Sequence, residues 1–259
     1  MATDPPGLSR RLVVKGAVWT TPAVILATAA PAAAASNACT PAQLVTDWTS
    51  AAYTRTSPTT GVYTWVNPLG NGSVPVLTLT VTATIVGPTF STVNPNNLSG
   101  TAGPIGGTPG PGLDLGLTRL RNTTNTTVTG ADYSFAFSQP VLNASFTIAD
   151  IDGTAFNGNS NNAGAERVFL TSTSAMAGTV QDTAYLTGTG TSADPWRRRP
   201  NSVPTMASLP NTSTAGDVPV TAAALSQFTV GYRLLDNTST GAANYNVWLT
   251  PILVTLPCP

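Results

Sequence analysis

The pattern of apolar and polar positions along the chain has a period of two, which indicates β-strands. In residues 77–85 every odd position is apolar, and every even position is threonine. A strand of this kind buries one face and exposes the other. Residues 228–234 alternate in the same way. Further strands are predicted at residues 61–66, 133–137, 168–171, 179–186 and 245–256. Pro251 interrupts the last of these, so we expect an edge strand or a bulge there.

Connections rich in glycine, proline, asparagine and serine separate these strands, and the longest are residues 87–117, 153–165 and 188–219. No amphipathic helix is evident after residue 35, apart from one turn at residues 222–227. Many short strands with turn-rich connections predict an all-β fold, an antiparallel β-sandwich of jelly-roll type with long loops. We assign residues 36–259 to one such domain.

The chain has two cysteines, Cys39 and Cys258, which lie at the two ends of that domain. An even number of cysteines in an exported protein favours a disulfide. This disulfide would require the first and last segments of the domain to lie side by side. The alternative is a pair of free or metal-binding thiols.

The first 35 residues have the three regions of a secretory signal. Arg10, Arg11 and Lys15 are positively charged, residues 17–30 are moderately apolar, and alanines occupy residues 32–35 before the expected cleavage site. The alternative is an uncleaved membrane anchor. The apolar run is about 14 residues, whereas a membrane-spanning helix needs about 20.

Residues 9–15, Ser-Arg-Arg-Leu-Val-Val-Lys, resemble the twin-arginine export motif. The resemblance implies a signal-peptide helix at residues 1–35 that is removed after export. It implies the twin-arginine translocase and signal peptidase as partners, and a domain that folds before it crosses the membrane. The expected location of the mature protein is therefore extracellular, secreted or associated with the cell surface.

Charge and composition exclude several functions. Ten acidic residues and eight arginines follow residue 35, so the net charge is near −2 and does not favour nucleic acid or an anionic membrane. That part of the chain has no histidine and no lysine, which excludes Ser-His-Asp catalysis, Schiff-base lysines and histidine-ligated zinc. A lysine-free chain rich in alanine and threonine, with this signal, resembles secreted proteins of high-GC actinobacteria.

One acidic segment suggests a site. Residues 142–148 place alternate apolar side chains on one face, and Asp150 and Asp152 continue that face if the strand stays regular. Two carboxylates at the edge of a core cannot both stay charged without a partner. A calcium ion is one solution, with Asn157 of the following loop and Glu166 of the next strand as further oxygen ligands.

Two alternatives remain open for these carboxylates. They could accept hydrogen bonds from loop N–H groups or pair with Arg167. They could also be catalytic, with Asp150 or Asp152 acting together with Glu166 in glycoside hydrolysis.

Residues 131–172, which contain Phe-x-Ile-x-Asp-Ile-Asp followed by a Gly/Asn loop and an acidic residue, resemble secreted β-sandwich modules of bacterial surface proteins and adhesins. Such modules are lectin-like or jelly-roll sandwiches, and some bind calcium.

A second candidate site is the basic aromatic cluster Trp196, Arg197, Arg198 and Arg199. It could bind an anionic polymer or stack on a sugar ring. The alternative is a solvated loop that Trp196 anchors, with Asp194 nearby. The tryptophans in strand-like segments are predicted to be core residues: Trp48, Trp65 and Trp248.

Together these patterns predict a secreted, non-catalytic extracellular module that binds carbohydrate or another surface polymer, with calcium as its candidate cofactor. Two other classes stay open. One is a structural protein that self-associates, and the other is a carboxylate-dependent glycoside hydrolase.

Overall fold

The computed structural model describes residues 39–87, 91–119, 128–152, 165–199, 209–235 and 243–259. The predicted signal peptide, with Arg10, Arg11 and Lys15, lies outside these residues, and so does Asn157. Among the described residues, no helix is long and apolar enough to cross a membrane. Residues Thr40–Pro259 form one compact unit.

Regular structure in the described residues consists of β-strands: β1 (Ala42–Val45), β2 (Tyr53–Ser57), β3 (Thr60–Val66), β4 (Val76–Val86), β5 (Ser91–Val93), β6 (Gly100–Thr101), β7 (Gly112–Arg119), β8 (Val128–Ala149), β9 (Ala165–Ser172), β10 (Met176–Gly178), β11 (Leu186–Thr187), β12 (Arg197–Arg198), β13 (Val218–Leu235), β14 (Ala243–Leu249) and β15 (Leu253–Leu256).

Thirteen of these strands belong to one curled antiparallel sheet, which confirms the all-β prediction. Its longest path runs β2-β3-β4-β8-β14-β7-β5, and β13 lies on the other edge of β8. The strands β9 and β10 pair with β13, while β1 pairs with β15. The remaining strands, β11 and β12, pair with each other.

The long strand β8 joins these parts. Its first half lies between β4 and β13, and its second half lies between β13 and the strands β14 and β15. The register with β13 shifts between Leu225 and Gln227, opposite the segment of β8 that contains Pro140. Proline has no N–H to donate, so it fits a bulge better than a regular ladder. β8 therefore changes its neighbours at this irregularity.

The core follows the alternation read from the sequence. Leu77, Leu79 and Val81 of β4 are fully buried, while the threonines between them are half-buried. Phe228 of β13 stacks on Phe135 and Phe146, from the two halves of β8, with ring centres 4.6 Å and 4.8 Å apart. Both halves of β8 therefore contribute to the same core.

The structure confirms the strands predicted at residues 61–66, 77–85, 133–137, 168–171 and 228–234. The strand predicted at residues 179–186 is wrong, because only Leu186 enters β11. Asp182 explains the difference, since its Oδ1 accepts hydrogen bonds from the N–H groups of Ala184 and Tyr185. A side chain that binds the backbone two residues on favours a turn.

Three other expectations also need correction. The connection predicted at residues 87–117 contains β5, β6 and most of β7, and the turn predicted at 222–227 is part of β13. The strand predicted at residues 245–256 is two strands, β14 and β15. The strand is interrupted at Thr250 and Pro251, where the N–H of Thr250 donates to the carbonyl of Thr147 at 3.0 Å.

Cys39 and Cys258 are disulfide-bonded, as the sequence predicted. The strands that lead to them, β1 and β15, are antiparallel neighbours, and Ala42 lies opposite Leu256. The disulfide therefore closes a pair of strands that already holds the two ends together.

We expect a Cys39→Ser, Cys258→Ser double variant to fold and to be exported, with a lower melting temperature. Closing a loop of this length stabilises by at most about 5 kcal/mol in the chain-entropy model. Thermal unfolding followed by circular dichroism measures the loss. A variant that lacks β-sheet signal at 20 °C would show that the disulfide is needed for folding itself.

Candidate functional site

The acidic segment begins where β8 ends, at Ala149. Asp150 has a φ of 64°, in the left-handed region, so the strand does not continue regularly. Ile151 takes the buried position after the strand, and its N–H donates to the carbonyl of Gly216 at 3.0 Å. The expectation that Asp150 and Asp152 continue the apolar face is therefore wrong, and both are half-buried.

Asp152 and Glu166 lie together, as the sequence suggested. The N–H of Asp152 donates to Oε2 of Glu166 at 2.9 Å, and the Tyr232 hydroxyl donates to Oε1 of the same carboxyl. Glu166 is only 1% exposed. Oδ2 of Asp152 accepts from the N–H of Leu209 at 2.9 Å. These contacts agree with the alternative in which loop N–H groups satisfy the carboxylates.

Asp150 instead meets Asp217, a residue that the sequence did not single out. The N–H of Asp150 donates to Oδ1 of Asp217 at 3.3 Å, and Asp217 is buried. Among the described residues, Oδ1 of Asp150 is buried without a hydrogen-bond partner. Such an atom is costly to leave unsatisfied when the carboxyl is ionised.

Burial raises the pKa of these acids. It raises the pKa of Asp217 to about 7, and a hydrogen bond from Asp150 opposes that shift. The pKa of Asp150 is also raised to about 7, by burial and by the charges of Asp152 and Asp217. Burial and the charge of Asp152 raise the pKa of Glu166 well above its ordinary value. A proton is therefore one way in which the fold accommodates this cluster.

The calcium site stays a prediction. Within the described ranges, no group of three or more acidic, histidine or cysteine side chains is arranged to hold a metal ion. Of the four predicted ligands, Asp150, Asp152 and Glu166 lie near one another, and Asn157 lies outside the described residues.

The tryptophan of the basic cluster is a core residue. Trp196 is 2% exposed, and its ring lies against the backbone of Gly178 and Gly190. A Cβ at either glycine would come within 2.3 Å or 2.1 Å of the ring, so larger residues would displace it. Its face is therefore not open to a sugar ring in this structure.

The three arginines have partners within the protein. Arg197 forms an ion pair with Asp194 at 2.8 Å, and the guanidinium of Arg198 lies 5.1 Å from the centre of the Tyr185 ring. Nε of Arg199 donates to the carbonyl of Leu186 at 3.2 Å. The anchoring by Trp196 and the nearby Asp194 agree with the alternative stated for this cluster, but Arg197 and Arg198 form the strand β12 and not a loop.

A different surface has the properties of a binding site. It lies on β7 and β14, which are antiparallel neighbours with Trp248 opposite Asp114 and Asn246 opposite Gly116. In each strand alternate residues face the core: Leu113, Leu115 and Leu117 in β7, and Val247 and Leu249 in β14. The residues between them form the floor of a cleft.

Asp114 and Asn246 are joined across this floor. Nδ2 of Asn246 donates to Oδ1 of Asp114 at 2.6 Å. Gly116 makes room for the pair, since a Cβ there would lie 2.6 Å from Oδ1 of Asp114 and 2.9 Å from Nδ2 of Asn246. Burial raises the pKa of Asp114 to about 7, although this hydrogen bond and the charge of Arg55 oppose the shift.

Loops form the walls of the cleft. The N–H of Asn96 donates to Oδ1 of Asn94 at 2.9 Å, and the N–H of Gly107 donates to the carbonyl of Asn211 at 2.8 Å. These bonds fix two loops beside the floor. The cleft has a volume of about 480 Å³ and is lined by Asn94, Asn96, Thr101, Gly103, Pro104, Ile105, Asp114, Asp150, Asn211, Asn244, Asn246 and Trp248.

Sequence reasoning found only Asp150 among these residues. It assigned Trp248 to the core, whereas the structure places this side chain half-buried at the cleft. The signal was present in the alternation of residues 113–117 and 244–249, where polar side chains occupy one face of two apolar strands. The side chains from distant loops had no such signal.

The lining residues determine what the cleft can bind. Each asparagine amide offers two donors and an acceptor, and each carboxyl offers acceptors, so the site can bond several hydroxyl groups at once. Tryptophan adds an apolar face.

No protein-family model, curated protein or solved structure matches this chain. The chemistry of the cleft therefore carries the functional argument.

We expect the protein to be less stable at pH 8 than at pH 5. The pKa of Asp217 rises from 3.8 to about 7 on folding, so the unfolded chain releases this proton at lower pH than the folded one. The free energy of unfolding therefore falls as the pH rises through this interval and stays low above pH 7. At pH 8 the Asp217→Asn variant should melt about 4 °C higher than the wild type, which corresponds to about 1 to 2 kcal/mol for a domain of this size.

Asp47→Asn is the matched control, because hydrogen bonds from Thr49 lower the pKa of Asp47 instead. Equal effects of the two variants at pH 8 would contradict the assignment of the pH dependence to Asp217.

Repeating the wild-type melt at pH 8 with millimolar calcium tests the metal prediction. A rise in melting temperature that a chelator reverses would confirm calcium binding, and no change would show that calcium does not stabilise the fold.

Proposed function

We propose that this protein is a secreted, non-catalytic module whose cleft binds a carbohydrate chain. The observation that carries the proposal is the lining of the cleft. Five of its twelve lining residues are asparagines, and two are aspartates. Sites for small molecules are usually lined mainly by apolar groups. So polar a lining favours a ligand that carries many hydroxyl groups, such as a sugar.

Trp248 supports the same ligand. It lies opposite Asp114 on neighbouring strands, so an apolar ring stands beside hydrogen-bonding groups on one rigid floor. A pyranose ring has the same division, with C–H groups on its faces and hydroxyls at its edge. Residues on paired strands hold such a geometry more firmly than residues on loops. The floor is therefore suited to hold one sugar ring in a defined orientation.

The architecture in this proposal is a jelly-roll-like sandwich. The two halves of β8 face one core and have different neighbours on one edge, which supports two packed layers formed from the curled sheet. An experimental structure with a single open layer would contradict it.

Glycoside hydrolysis by Asp150 or Asp152 with Glu166 has less support. Glu166 is 1% exposed, its two carboxyl oxygens accept hydrogen bonds from Tyr232 and Asp152, and it does not line the cleft. Self-association is the second candidate, because Val45 and Leu253 are cross-strand partners and are 52% and 42% exposed. A binder should sediment as a monomer, and a self-associating protein as an oligomer.

The test of carbohydrate binding is a glycan array followed by calorimetry on the best oligosaccharide. We expect saturable binding, and Trp248→Ala should weaken it about tenfold, which corresponds to about 1.4 kcal/mol of lost ring contact. Trp65→Ala is the control, since Trp65 is also partly exposed but does not line the cleft. The proposal fails if no glycan binds, or if both variants weaken binding equally.

Export is tested separately. We expect the Arg10→Lys, Arg11→Lys double variant to stay inside the cell in a host with a twin-arginine translocase, because the predicted motif at residues 9–15 directs the protein to that translocase. Immunoblots of cell and medium fractions measure the distribution. Unchanged secretion of the variant would contradict the twin-arginine assignment.

A further inference from the structure

The cleft has acidic side chains without a basic one of its own. Asp114 and Asp150 are its ionisable lining residues, and none of the twelve residues that line it is a lysine, arginine or histidine. An excess of acidic groups in a partly enclosed site favours a positively charged ligand, because a nearby cation stabilises the ionised form of each carboxyl.

The compensation of Asp114 within the protein is partial. Asn246 donates one hydrogen bond to it, and Arg55 is the cation that lowers its pKa. The guanidinium of Arg55, however, donates to the carbonyls of Asn97 and Pro95. Those bonds hold the arginine to the backbone of a neighbouring loop, so Arg55 acts on Asp114 through its charge, and Asp114, which is 4% exposed, contributes to the charge of the cleft floor.

Asp150 is compensated less. The charged groups that shift its pKa are Asp152 and Asp217, which are both acidic. Among the described residues, its Oδ1 has no hydrogen-bond partner. This carboxyl, which lines the cleft and has an unsatisfied oxygen, therefore gains more than Asp114 from a positively charged ligand.

We propose that the cleft binds an amino sugar, with the ammonium group between Asp114 and Asp150 and the sugar ring against Trp248. This inference rests on the proposed carbohydrate function. An ammonium donates hydrogen bonds and brings the missing charge, and Trp248 adds a favourable cation–π surface. The asparagine amides then form hydrogen bonds with the hydroxyl groups of the same ligand.

Two other ligand classes fit less well. A uronic or sulfated sugar would bring a further negative charge beside two carboxyls. A bare metal ion would leave the N–H donors of the asparagines unused, and the described residues include no cluster of three acidic groups arranged to hold one.

The test compares β-1,4-linked tetramers of glucosamine, N-acetylglucosamine and glucose by calorimetry at pH 6.5 and 150 mM salt. These ligands share a backbone and differ in the group at one carbon. We expect the glucosamine tetramer to bind at least tenfold more tightly than the glucose tetramer. Asp150→Asn should remove most of that preference, since an amide replaces the acid at nearly the same size and tolerates positive φ.

Asp182→Asn is the matched control, because it changes the net charge equally and lies away from the cleft. Asp114→Asn is the second test variant, and melting curves check that each variant folds. Equal affinity for the glucosamine and glucose tetramers overturns the amino-sugar inference but leaves carbohydrate binding intact. If none of the three tetramers binds, the amino-sugar inference is overturned. The proposed carbohydrate binding is decided separately, by the glycan array. An equal loss in Asp182→Asn and Asp150→Asn also overturns it.

Discussion

The hydrogen bonding of β8 along both of its edges is the constraint on which the rest of the sheet depends. β4 continues one part of the sheet from it, β13 runs along the opposite edge, and β14 and β15 join beyond the bulge. A strand in this position cannot slip by one residue without turning its whole core face toward solvent. The position of the cleft floor depends on β8, because β14 pairs with β8 on one side and with β7 on the other.

The absence of lysine and histidine after residue 15 imposes a second constraint. Buried carboxyls cannot pair with those cations, so the fold satisfies them by other means. Glu166 uses a phenol and a backbone N–H, Asp114 uses an amide, and Asp217 accepts from the N–H of Asp150. Protonation is the remaining option where such donors are too few, which is the situation of Asp150.

Local patterns predicted the strands but not where their neighbours would lie. Alternation located residues 77–85 and 228–234 because one face of each strand is buried. It misplaced Asp150, because one residue in the left-handed region reverses the alternation, and an aspartate, although it tolerates this region, does not by itself show that the region is used. Residues 113–117 were overlooked because glycine- and proline-rich flanks hid a short strand within a long connection. The cleft itself depends on contacts between loops far apart in sequence, which periodicity does not encode.

The disulfide between Cys39 and Cys258 also determines how the domain bears mechanical load. Tension applied to the chain outside these two residues passes through a covalent bond, and the 218 residues between them stay outside the path of the force. The strands β1 and β15 would then not be peeled apart by pulling. Pulling on the chain on both sides of this bond would therefore neither extend the sheet nor deform the cleft.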